Sequence, residues 1–223
     1  KTQYMNYISV DFSLNSPGIC LYNDNTNKYH FISYIKKGSG TKKEQKLQEE
    51  ISLLDDVTLN NQPDWESTNQ YSSAELLKIR RYNSMSNDIL ELILQHTDNS
   101  SDYIIAFEGS SYGSKMGTNN IIDMAAGAAI LKNNMLETIK PLDIKTIAPT
   151  TIKKHAGKGN MKKRALWDAF VENRIQDENI KTSKFFNFCD KLIEPEDKKI
   201  PKPFDDLVDA YFLCNYLFKV SNE

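Results

Sequence analysis

Four acidic residues stand where their spacing bears on chemistry. Asp11 closes the β-branched and aromatic run 4–12, Glu108 closes the apolar run Tyr103–Glu108, and Asp206 and Asp209 lie three residues apart. On a helix, positions i and i+3 lie one above the other on the same face. If the two strand ends meet that face, four carboxylates converge. Like charges brought so close are costly unless cations bind them. Hard, oxygen-seeking Mg²⁺ or Mn²⁺ answers that need. Cys20, Cys189 and Cys214 lie far apart and offer zinc no CxxC pair. Two such ions about 3.5–4 Å apart activate water and stabilise the leaving oxygen in phosphodiester hydrolysis. Each acid alone also has a plain role, as a solvent-facing strand end or as a complement to a helix macrodipole.

Phosphodiester chemistry needs a cation for the phosphate as well. The formal net charge is -2, which is not the footprint of a nucleic-acid binder. Yet between Lys145 and Arg164 there are seven Lys or Arg residues and no Asp or Glu. The acids crowd elsewhere, in 44–56 and 172–197. A locally basic strip suits a partner that is negative at one place; a solvated face is the plain alternative.

The elements that position these residues follow from pattern. Runs 4–12, 19–22 and 29–35, joined by Asn15-Ser16-Pro17-Gly18 and by 23–27, predict three antiparallel strands. Residues 38–72 are polar, with a charged helical stretch from Lys42 to Leu54 and a loop holding Pro63 and Trp65. They predict an insertion or lid. Ser72 or Ser73 is a candidate cap for a helix reaching about His96, its stripe Leu76, Ile79, Tyr82, Met85, Ile89, Leu92 and Ile93 facing the core. The run 103–108 predicts a buried strand, followed by a Gly/Ser-rich loop and a small-residue helix, Ile121–Leu136. A strand at 145–148 leads to Pro149, which suits the first turn of a helix. Residues 161–175 predict a helix, 176–203 an irregular second insertion, and Phe204 or Asp205 starts a last helix running to about Val220. Strands first and strand–helix alternation afterwards predict one α/β domain over 1–223.

With 223 residues, 39% of them hydrophobic and 26% charged, the chain suits a globular protein. It has no apolar run of the roughly 18 residues that would span a membrane. The start Lys1-Thr2-Gln3-Tyr4 has no signal-peptide shape. Scattered cysteines fit a reducing, cytoplasmic setting in a bacterial or phage-infected cell.

The order of these segments resembles the RuvC family of Holliday-junction resolvases within the ribonuclease H-like superfamily. Asp206-Leu207-Val208-Asp209-Ala210 is similar to that family's closing D-A-A-D-A, and Ile147-Ala148-Pro149-Thr150-Thr151-Ile152-Lys153 to its strand–Pro–helix segment. Gly157-Lys158-Gly159-Asn160-Met161-Lys162-Lys163 resembles its G-x-G-x-x-x-K loop, and Gly127-Ala128-Ala129 falls in the counterpart of its helix after the strand-end Glu. The resemblance covers roughly 5–35 and 75–215.

It implies a mixed central sheet, an antiparallel meander plus parallel strands, flanked by helices. It also implies a metal-dependent endonuclease cutting four-way DNA junctions as a homodimer. Asp11, Glu108, Asp206 and Asp209 would bind two Mg²⁺ or Mn²⁺ ions, and Lys163 would contact the scissile phosphate. Lys153, Lys158 and Lys162 would meet the DNA backbone. Two departures stand out. The first strand runs into Asp11-Phe12-Ser13 rather than Asp-Pro-Gly, and the aromatic expected three residues after Glu108 is replaced by Ser111, with Tyr112 beside it as a base-stacking candidate. Other readings are a flap, branch or terminase-like nuclease on the same fold, and a non-catalytic junction binder. A sugar-kinase or actin-like ATPase would need a second lobe and phosphate loop.

Overall fold

A computed structural model describes residues 4–62, 70–98, 100–109, 118–172, 177–192 and 200–223. Six strands form one sheet: β1 (Met5–Asp11), β2 (Gly18–Asn23), β3 (Lys28–Ile35), β4 (Val57–Asn61), β5 (Asp102–Glu108) and β6 (Asp143–Ile147). Their spatial order is β4-β3-β2-β1-β5-β6. β1, β2 and β3 pair antiparallel, while β5 and β6 continue parallel from β1. This antiparallel meander extended by parallel strands is the mixed central sheet expected from the sequence. β1 is buried on both faces, so that even its polar residues Asn6 and Ser9 are buried.

The helices are α1 (Lys42–Ser52), α2 (Tyr71–His96), α3 (Thr118–Thr138), α4 (Pro149–Ala156), α5 (Lys163–Val171), α6 (Lys184–Lys191) and α7 (Phe204–Asn222). On one sheet face Tyr7, Cys20, Tyr22 and Phe31 pack against Trp167, Phe170, Phe185 and the α7 residues Leu207, Tyr211 and Cys214. On the other, Ile8, Val10, Ile19, Leu21 and Ile32 pack against Met85, Ile89 and Ile93 of α2 and Leu131 and Met135 of α3. Among the described residues no helix is long and apolar enough to cross a membrane.

Several local expectations need correction. Segment 38–72 holds the expected charged helix as α1, opened by a Thr41/Glu44 capping box, but where a loop was expected it forms β4, which adds a parallel edge strand to β3. Residues 63–69, with Pro63 and Trp65, lie outside the described residues. α2 begins at Tyr71 with Gln70 before it and no side-chain cap, so neither Ser72 nor Ser73 caps it. Leu76 and Ile79 are each 50% exposed, whereas the stripe is buried at Tyr82, Met85, Ile89 and Ile93. The second insertion is not irregular throughout: Ser183 caps α6, which buries Phe185, Phe186 and Cys189.

Candidate active site

The sheet register brings the first two acids together. β1 and β5 run parallel with Val10 opposite Phe107, so the residues that follow, Asp11 and Glu108, leave the sheet side by side. On its other flank Asp11 pairs with Gly18 of β2. Gly18 is needed there. A Cβ on it would come within 2.2 Å of the Asp206 carbonyl oxygen, so only glycine lets the start of α7 lie against the strand. One turn further along, buried Ser9 donates from Oγ to the Ala210 carbonyl at 2.7 Å. That bond fixes α7 along β1 and sets Asp206 and Asp209 against Asp11.

The acids feel one another. Burial pushes the Asp11 carboxyl well above the usual range, and Glu108, which shares a hydrogen bond with it, and Asp206 push it further. Glu108 is raised by burial and by Asp209, with Lys153 and Lys163 pulling the other way. Burial, then Asp11, raises Asp209 to about 7. Asp206 is raised by burial and by Asp205, offset by Lys202 and Ser16. Desolvated carboxylates held this close are short of positive charge. As a donor set of hard oxygens they suit Mg²⁺ or Mn²⁺. Among the described residues, though, no three Asp, Glu, His or Cys side chains are gathered so as to hold a metal ion. Lys163 and Lys202 lie against the acids at the start of α7.

Lys163, the first residue of α5, reaches Asp205 Oδ2 at 2.5 Å, Asp209 Oδ2 at 3.6 Å and Asp206 Oδ1 at 3.8 Å. Burial opposes its charge, but Asp205, Asp209 and Asp206 outweigh that and hold the ammonium above the ordinary lysine range. The loop 157–162 that carries α5 follows α4, and α4 is tied to α7 by a 2.8 Å hydrogen bond between His155 Nε2 and Asn215 Oδ1. Lys153 of α4 acts electrostatically on Glu108. Lys158 and Lys162 are exposed on the loop between the two helices. Among the described residues no ion pair engages Lys153, Lys158 or Lys162. Tyr112 and Ser111 lie outside the described residues.

Asp205 adjoins Asp206 and was the alternative to it in the sequence, with spacing favouring Asp206; Lys202 and Ser16 escaped the sequence reading. Asp205 is only 8% exposed and takes the shortest contact from Lys163. Lys202 pairs with Asp206 Oδ1 and lies 3.3 Å from Asp205 Oδ1, a buried oxygen with no hydrogen bond of its own. Ser16 donates from Oγ to Asp206 Oδ2 at 2.7 Å. The available signals were slight: Lys202 precedes Asp206 by one helical turn, and Ser16 lies in a turn-forming tetrapeptide.

No protein-family model matches the chain, and no curated protein matches it. Solved structures do resemble it in fold. The chain is similar to a Thermus thermophilus RuvC structure, with 10% identity over 98% of this chain and 96% of that one and a TM-score of 0.49. T. thermophilus RuvC in complex with Holliday junction substrate gives 9% identity, the same coverage and a TM-score of 0.49. The yeast mitochondrial Holliday junction resolvase Ydc2 gives 11% identity over 98% of this chain and 80% of that one, with a TM-score of 0.46.

Proposed function

We propose that this chain is a metal-dependent endonuclease that cuts branched DNA, with four-way junctions as its substrate. The observation that carries the reading is the convergence of Asp11 and Glu108, from adjacent parallel strand ends, with Asp206 and Asp209 on one face of α7. Desolvated carboxylates that raise one another's pKa, with a lysine beside them, suit cation-assisted phosphodiester hydrolysis. Asp11, Glu108, Asp206 and Asp209 would hold one or two Mg²⁺ or Mn²⁺ ions, which when bound supply a water of lowered pKa and charge for the leaving oxygen.

The chain's own groups do the rest. Lys163, with 57% of its side chain exposed, can turn from Asp205 toward a phosphate entering above the acids. Lys153, Lys158 and Lys162 would neutralise backbone phosphates on either side. Two symmetric cuts across a four-way junction call for two copies of the chain. α3 exposes Ile122, and α2, which packs on α3, half-exposes Leu76 and Ile79, apolar side chains that such pairing could cover.

The test is cleavage of a labelled synthetic four-way junction with and without Mg²⁺ or Mn²⁺, beside flap, linear duplex and single-strand controls. Paired, symmetric, metal-dependent nicks at the junction are expected, and Asp11→Asn should abolish them while leaving junction binding largely intact. Equal cleavage of flaps or linear DNA would make the chain a general nuclease on this fold. Binding without cleavage at any metal concentration would leave a junction binder.

A further inference from the structure

Asp206 meets a proton donor at both of its oxygens. Ser16 occupies Oδ2, and Lys202 lies on Oδ1 with Lys163 3.8 Å away. A divalent ion that takes Asp206 Oδ1 as a ligand therefore meets competition from an ammonium group. The two lysines are not equivalent in this. Lys163 makes its close contact with Asp205, at 2.5 Å, and can keep it while Asp206 changes partner. Lys202 makes its close contact with Asp206 itself and stands off from Asp205 at 3.3 Å. Half of the Lys202 side chain is exposed, whereas 7% of the Asp206 side chain is, so the lysine can swing out with no repacking and the carboxylate cannot.

We propose that Lys202 is a built-in counter-ion of the site, which holds Asp206 in the ion-free protein and competes with the divalent cation for that carboxylate. The inference rests on the metal-binding reading given above. Asp205 is a positioning residue in this scheme. It keeps Lys163 at the mouth of the site whether or not Asp206 is engaged, and so separates the lysine that yields to the cation from the lysine that stays for the phosphate. Without Lys202 the buried Asp206 would lose its nearest cation, a costly state for a desolvated charge. Removing Lys202 therefore weakens the ion-free fold and strengthens cation binding together, a pair of effects that a merely structural lysine does not produce.

The experiment measures Mn²⁺ binding to the DNA-free protein, from the electron paramagnetic resonance signal of unbound Mn²⁺. It compares the parent chain with Lys202→Met, Lys202→Arg and Asp206→Asn, and follows thermal unfolding of each with and without Mn²⁺. Lys202→Met should bind Mn²⁺ about tenfold more tightly than the parent and show the larger Mn²⁺-dependent rise in Tm. Lys202→Arg, which keeps the charge, should keep the parent's affinity. Lys202→Gln gives the same reading should the Met variant fail to fold. Unchanged or weaker Mn²⁺ binding by the folded, uncharged variants overturns the counter-ion role alone, provided that Asp206→Asn loses binding the parent has. A parent that binds no Mn²⁺, or an Asp206→Asn variant that binds as the parent does, overturns the metal-binding reading and the counter-ion role with it.

Discussion

Ser16 Oγ donates a 2.7 Å hydrogen bond to Asp206 Oδ2, joining the turn before β2 to the first turn of α7 across 190 residues of sequence. The turn is itself held from the opposite side of the sheet. Arg81 of α2 donates to the Leu14 carbonyl at 2.8 Å and to Asn15 Oδ1 at 2.7 Å. Asp206 is thus oriented through a chain of contacts that starts in a helix on the far face. Ser16→Ala removes the donor and leaves a buried carboxylate oxygen unpaired, a loss of about 1–3 kcal/mol in stability. Denaturant unfolding reads that loss. If Ser16 also orients Asp206 for cation binding, the metal concentration giving half-maximal cleavage should rise, with little change in junction affinity.

Lys163→Ala should slow cleavage more than it weakens binding. Its ammonium lies among Asp205, Asp206 and Asp209, whereas Lys158 and Lys162 stand on the loop apart from those acids, so on the proposed reading it would meet the reacting phosphate and they the flanking duplex. A fall of about a hundredfold in single-turnover cleavage corresponds to roughly 3 kcal/mol of lost transition-state stabilisation. Junction affinity, measured in Ca²⁺, should change by a few-fold at most. A large loss of affinity with unchanged single-turnover rate would make Lys163 a docking residue.

Gly18→Ala tests the close approach of β2 and α7 directly. The added methyl would sit 2.2 Å from the Asp206 carbonyl oxygen and 2.6 Å from its carbonyl carbon, both backbone atoms that a rotamer change cannot move. α7 must shift outward, which costs about 1–3 kcal/mol or more. The shift also draws Asp206 and Asp209 away from Asp11. Urea unfolding and metal-dependent cleavage should both suffer. A stable variant with full activity would mean that α7 adjusts without moving its acids.

Much of the site was legible because its acids end recognisable elements. The β-branched and aromatic run before Asp11 and the apolar run before Glu108 read as strands, and parallel neighbours bring their ends together. The i, i+3 spacing of Asp206 and Asp209 needed only a helix. Ser16 and Lys202 carried no such periodicity: one is a hydroxyl in a turn, the other a lysine beside a proline, and only the folded chain sets them on Asp206. The strand and the helix within the two expected insertions were missed for a related reason. β4 is a short edge strand, Val57-Thr58-Leu59-Asn60-Asn61, whose half-polar pattern resembles a loop. α6 buries just Phe185, Phe186 and Cys189 among charged neighbours. Leu76 and Ile79 continue the apolar stripe of α2 but stand half-exposed.

Away from the acids, His30 of β3 and His96 at the end of α2 stack at 3.7 Å between ring centroids, and both Nε2 atoms bond the Thr58 hydroxyl, at 2.9 and 3.1 Å. Burial, then the neighbouring His96, lowers His30 to about 3, with Asp55 opposing; burial lowers His96 too. A histidine whose folded pKa is depressed takes up its proton in the unfolded chain first. Between about pH 6.5 and 3 the unfolded state holds a proton that the fold refuses, so stability falls as pH drops through that window, by up to about 1.4 kcal/mol per unit for one proton. The raised acids near α7 act with the opposite sign, so the comparison has to be made against a variant. His30→Phe keeps an aromatic ring on His96 and removes the titration. Urea unfolding at pH 7, 6, 5 and 4 should show the parent losing stability faster than the variant below pH 6.5. Parallel pH curves for the two proteins would mean that His30 takes up its proton inside the fold and that the stack tolerates the charge.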